Sequence, residues 1–84
     1  MTPSLRLVSE RFEHLRDDAV RMFERNENFR DLCDEYEACV GTVARLQSSA
    51  SSSEDLRNEY TALMLGLERE LLRYLEEQAT RGAK

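Results

Sequence analysis

The sequence predicts an all-α chain: an antiparallel helical hairpin preceded by an N-terminal amphipathic helix, in a bundle or coiled-coil assembly. Three observations carry this. Apolar residues recur at alternating steps of three and four between Ser4 and Gln47, a helical period with no competing period-two stretch. One polar low-complexity run, Ser48-Ser49-Ala50-Ser51-Ser52-Ser53, interrupts the pattern. One proline and three glycines among 84 residues leave little turn-forming material, which disfavours sheets and loop-built active sites.

The first stripe reads Leu5, Val8, Phe12, Leu15, Ala19, Met22, then Phe29, Cys33, Tyr36, Val40 and Val43, with polar Asn26 at one step. Between Phe29 and Leu46 it widens, because Leu32, Cys39 and Leu46 flank it. A face this wide belongs to a helix packed inside a bundle or hairpin. Serine hydroxyls compete with helical backbone bonds, so 48–52 reads as a turn. Ser51 with Glu54 fits a capping box, and Ser52 with Asp55 is the alternative register. The second helix then carries Leu56, Tyr60, Leu63, Met64, Leu67, Leu71, Tyr74 and Leu75 inward. Gly82 lies just past its last periodic residues, and Arg81 suits the negative end of the helix dipole. Gly66 costs about 1 kcal/mol against alanine inside a helix, and close packing on the first arm would account for it.

The lengths divide the chain further. An arm over 53–79 can cover only an equal stretch before the turn, and that cover runs out near residues 21–26. Asn26-Glu27-Asn28 lies there, and Asn28 with Asp31 can cap a fresh helix. Asn26 reads better as a helix break than as a polar register position in a coiled-coil seam. The expectation is one helical domain over 1–84: an N-terminal helix at 4–25, a hairpin of 28–47 and 53–79, and the Ser-rich turn at 48–52.

The N-terminal helix is the informative part. Leu5, Val8, Phe12, Leu15 and Met22 lie beyond the reach of the hairpin. Burying a large apolar side chain is worth about 1.5–3 kcal/mol, so the five amount to on the order of 10 kcal/mol. That rivals the whole stability of a small domain. The segment must fold back on the hairpin or pack against another chain. The function expected is a non-catalytic protein–protein interaction module that self-associates through these five residues as a homo-oligomer. An alternative is a small adaptor or co-chaperone whose stripe serves a client protein. Arg6, Arg11, Arg16, Arg21 and Arg25 alternate with acids along the segment. They read as a solvated face with weak ion pairs, or as flanking charges that select a coiled-coil partner.

The net charge of −5 and pI near 4.9 disfavour nucleic-acid binding, which depends on neutralising phosphates. No apolar run approaches the roughly 18 residues of a membrane span, and Met1-Thr2-Pro3-Ser4-Leu5-Arg6 has no basic segment leading into an apolar one. A cytoplasmic protein without membrane attachment is expected. Cys33 and Cys39, six apart on one helix, are separated by about 9 Å of rise and point to different faces. A disulfide needs Cα atoms within about 7 Å, which excludes a bridge within that helix. They read as two small buried apolar residues, with a cross-subunit bridge or a redox sensor as the alternative. Asp31, Asp34, Glu35 and Glu37 would raise a thiol pKa rather than lower it.

Glu10, His14 and Asp18 are spaced four apart, on one face of an unbroken helix. They are the basis of a third alternative, a metal-binding protein or metal-dependent enzyme. One imidazole and two carboxylates fall short of the four ligands of a closed zinc site. The acids at Asp31, Asp34, Glu35 and Glu37, and at Glu68, Glu70, Glu76 and Glu77, have no Glu-x-x-His partner motif and read as solvated faces. There is no phosphate-cradling glycine loop, nucleophile elbow or Cys-x-x-Cys, and a hairpin offers no deep pocket of about 300 Å³. No catalytic residue, metal or cofactor is assigned. Tyr36, Tyr60 and Tyr74 fall on inward stripes, as core residues with the hydroxyl at the rim.

The stretch Asn26-Glu27-Asn28-Phe29-Arg30-Asp31-Leu32-Cys33-Asp34-Glu35-Tyr36 resembles the N-x-x-F-x-x-L-x-x-E-Y/H opening of the YdcH-like small helical-hairpin proteins. Arg45-Leu46, Asp55-Leu56 through Leu63, and Glu70-Leu71-Leu72-Arg73-Tyr74-Leu75 are similar to that family's second helix. The resemblance covers about residues 22–76. The second helix differs in carrying Arg57, Arg69 and Arg73 where the family is Lys-rich, and Glu37-Ala38 stands where an Asp-His pair is common. The resemblance implies a short cytosolic bacterial hairpin of unassigned activity, with no catalytic residues.

Overall fold

A computed structural model describes residues 2–49 and 53–82, and these are helical almost throughout. The order is α1 (Pro3–Arg11), a 3-10 turn (Glu13–Leu15), α2 (Arg16–Arg25), α3 (Glu27–Ser48) and α4 (Glu54–Gly82). Helices α3 and α4 form the antiparallel hairpin, α1 lies on α3, and α2 packs against both arms.

Each boundary has a local cause. Thr2 Oγ1 accepts the Leu5 amide at 3.3 Å, and Pro3 occupies the first helical position, where its missing N–H costs nothing. The expected single helix over 4–25 is broken. Phe12 leaves helical geometry at φ −119°, ψ 60°, while its amide still donates to the Val8 carbonyl. The chain winds through the 3-10 turn and restarts as α2. No glycine or proline marks this place in the sequence. The gain is tertiary: the break turns the front of the chain back onto the hairpin, so that Phe12 is itself only 5 % exposed.

Asn26, extended at φ −127°, ψ 108°, ends α2 and starts α3. Its side-chain oxygen accepts the Phe29 amide at 3.1 Å. The cap is therefore Asn26 and not Asn28, which lies exposed inside the first turn of α3. Helix α3 ends at Ser48, whose hydroxyl donates to the carbonyl of Ala44 at 3.1 Å. Residues 50–52, the middle of the expected turn and the site of the expected Ser51 and Ser52 caps, lie outside the described residues. Ser53 Oγ accepts the Leu56 amide at 3.1 Å and caps α4, which runs past residue 79 to Gly82.

The core gathers residues from all four helices. Val8, Ala19, Phe29, Cys33, Leu71 and Leu75 have no exposed surface. Phe29 meets Tyr74 edge to face at 5.8 Å, an arrangement favoured by the ring quadrupoles. Leu5, Val8, Phe12 and Met22 are buried in this core and Leu15 is half-buried. This corrects the assignment of that stripe as a partner-binding face. With the chain bent at Phe12, these side chains are shielded internally and a second copy is not needed to cover them.

The molecule measures 51 × 21 × 21 Å. One half is a compact four-helix arrangement. The other is the turn-proximal part of the α3–α4 pair, which α1 and α2 do not reach. Gly66 lies near the junction. A Cβ built there meets nothing within 4 Å, so close packing on α3 does not explain this glycine. Substituting Gly66→Ala should raise stability by about 1 kcal/mol through helix propensity alone. Asn26→Ala should lower it by about 1 kcal/mol through loss of the cap. Urea unfolding of the two variants beside the parent measures both.

Candidate interaction face

A polar node inside the four-helix half and the uncovered face of the bare half each bring several functional groups together.

The node ties three helices together. The Arg11 guanidinium at the end of α1 donates to Glu68 of α4 through Nε at 3.2 Å and Nη2 at 3.1 Å. Tyr36 of α3 donates its hydroxyl to the same carboxylate at 2.7 Å. Arg11 also lies over the Phe12 ring, 5.2 Å from its centroid. Burial pushes the Glu68 carboxyl upward. The Tyr36 and Arg11 hydrogen bonds and the guanidinium charge outweigh that and hold it below its ordinary value. Burial, followed by the hydrogen bond to Glu68, pushes the Tyr36 phenol up. The node is saturated, with each member already bound to another, and it serves to clamp α1 to the hairpin. Because the folded carboxyl titrates below the unfolded one, its stabilisation is present above the unfolded value. It is lost as pH falls through the folded value. Acid unfolding monitored by circular dichroism should thus show a limb below about pH 4.5 that flattens in Glu68→Gln.

The triad behind the metal-binding alternative is not assembled. The break at Phe12 separates Glu10 in α1 from His14 in the 3-10 turn and Asp18 in α2. Glu10 pairs with Arg6 at 3.3 Å and Asp18 with Arg21 at 3.1 Å, while His14 is exposed. Among the described residues no three His, Cys, Asp or Glu side chains converge as metal ligands. Cys33 and Cys39 are both buried and free. Burial, reinforced by Asp34, pushes the Cys33 thiol up to about 12, far from the activated thiolate that a redox sensor needs. Cys39 is also raised by burial, and its Sγ lies 3.6 Å from the Tyr60 carbonyl.

The bare half presents a different surface. Leu56 is 39 % exposed, Leu63 54 % and Leu65 47 %. A trough of about 640 Å³ runs over Leu56, Glu59, Tyr60, Ala62 and Leu63. A neighbouring one of about 340 Å³ is lined by Glu35, Ala38, Cys39, Thr42, Tyr60, Leu63 and Leu67. Both are open to solvent and largely apolar, and neither holds convergent acid–base or nucleophilic groups. Both exceed the roughly 300 Å³ that the sequence led one to think a hairpin would lack, but as open grooves. Leu63 lies five residues before Glu68, about 140° round the helix. The grooves thus face away from the side that α1 occupies.

The sequence reading missed this face. It placed Leu56 and Leu63 on the inward stripe with Tyr60 and Leu67, which is correct for a helix covered along its whole length. The signal available was the length mismatch itself. A front segment bent back on one end of the hairpin must leave the other end bare. No helix among the described residues is long and apolar enough to cross a membrane. No protein-family model, curated protein or solved structure matches this chain.

Proposed function

We propose that the protein is a non-catalytic protein–protein interaction module that self-associates through the uncovered α3–α4 face. One observation carries the reading: Leu56 and Leu63, two large apolar side chains one heptad apart on α4, stay substantially exposed while Leu67, Leu71 and Leu75 of the same helix are buried. Two leucines at this spacing are the anchors by which one helix recognises another. Isolated surface leucines are ordinary. Here both leucines border an apolar trough on α4, and Leu63 also borders a neighbouring groove between α3 and α4, the form an interaction surface takes.

The mechanism is docking of an amphipathic helix pair, as the sequence led one to expect, with the docking residues relocated. Leu5, Val8, Phe12, Leu15 and Met22 build the domain, and Leu56 and Leu63 present it to a partner. The absence of converging ionisable groups in the grooves favours binding over catalysis. The adaptor or co-chaperone alternative uses the same face with a client protein in place of a second copy. A cytoplasmic setting and a YdcH-like relationship fit this role.

Sedimentation equilibrium tests the reading. The parent chain should show reversible, concentration-dependent dimerisation. Leu63→Asp should abolish it while leaving helicity unchanged, because Leu63 contributes little to the internal core. A parent that sediments as a monomer at every concentration would favour the client-binding alternative.

A further inference from the structure

The register of that association is written in the charges along α3. Glu35, Ala38, Thr42 and Arg45 follow one another at steps of three, four and three, forming a single seam along the exposed side of the helix. Its middle is small, and its two ends carry opposite charges about 15 Å apart along the axis. Among the described residues neither end takes part in an ion pair. Arg45 donates to Thr42 Oγ1 at 3.1 Å, which lays its guanidinium back toward the middle of the seam.

We infer that the partner is a second copy of this chain, crossing antiparallel so that Glu35 of each copy faces Arg45 of the other. This rests on the self-association proposed above. A two-fold axis passing between Ala38 and Thr42 exchanges position 35 with 45 and position 38 with 42. One surface therefore supplies both halves of the contact, as a closed dimer requires. The small residues at the crossing let the helices approach, and the leucines of α4 close over the sides. The bare part of the hairpin is short, so the contact is smaller than a standard permanent interface and the dimer is reversible.

A charge exchange tests the register. Glu35 and Arg45 are both exposed, so Glu35→Arg and Arg45→Glu should retain parental helicity. In the antiparallel dimer each single change creates two like-charge pairs, and the dissociation constant should rise about tenfold. The double variant Glu35→Arg/Arg45→Glu restores opposite charges at both ends and should return to within about threefold of the parent. A dimer lost in Leu63→Asp but untouched by either charge change would overturn the register and leave the docking face standing. So would a double variant as weak as the singles. A parent chain that never dimerises would overturn self-association and the register together.

Discussion

Everything in this molecule depends on where the apolar side chains of the first 25 residues find cover. A two-helix hairpin has one internal seam and little volume behind it, and a chain of this size has little stability to spare. Bending at Phe12 lets α1 and α2 close over one end of the hairpin. Val8, Ala19, Phe29, Cys33, Leu71 and Leu75 then share a centre from which water is excluded. The bend forgoes regular helix geometry for a few residues and gains several fully buried side chains, each worth more than a helical hydrogen bond.

That choice makes the molecule asymmetric. The covered end is a small domain core. The other end is a bare helix pair whose stripe, inward by periodicity, lies partly in solvent because nothing remains in the described chain to cover it. The candidate interaction face follows directly: it is the part of the hairpin left over once the front segment has been placed. The same geometry disposes of the metal triad, since its three members depended on an unbroken helix through Phe12.

Polar interactions refine this arrangement without creating it. Glu68 collects Arg11 and Tyr36 at the point where α1 meets both hairpin arms. This sets the distance to which the front segment closes. Surface pairs such as Arg6 with Glu10 and Arg21 with Asp18 lie along single helices and add little. Among the described residues Glu35 and Arg45 take part in no ion pair.

Local rules were sufficient for much of the fold. Helical periodicity, the serine run and the polar Asn26 step determined that the chain is all-α, that a hairpin occupies its back two-thirds and that a helix ends near residue 26. They also placed Cys33, Cys39 and Tyr36 in the interior. These features depend on neighbours within a turn or two of helix, which the sequence displays. The break at Phe12 was decided elsewhere. Arg11-Phe12-Glu13-His14 contains no residue that disfavours a helix strongly, and only the competing reward of burying Leu5, Val8 and Phe12 against α3 and α4 interrupts it. The exposure of Leu56 and Leu63 was likewise tertiary. Periodicity says which residues share a helix face, but whether that face is covered depends on how far distant segments reach once folded.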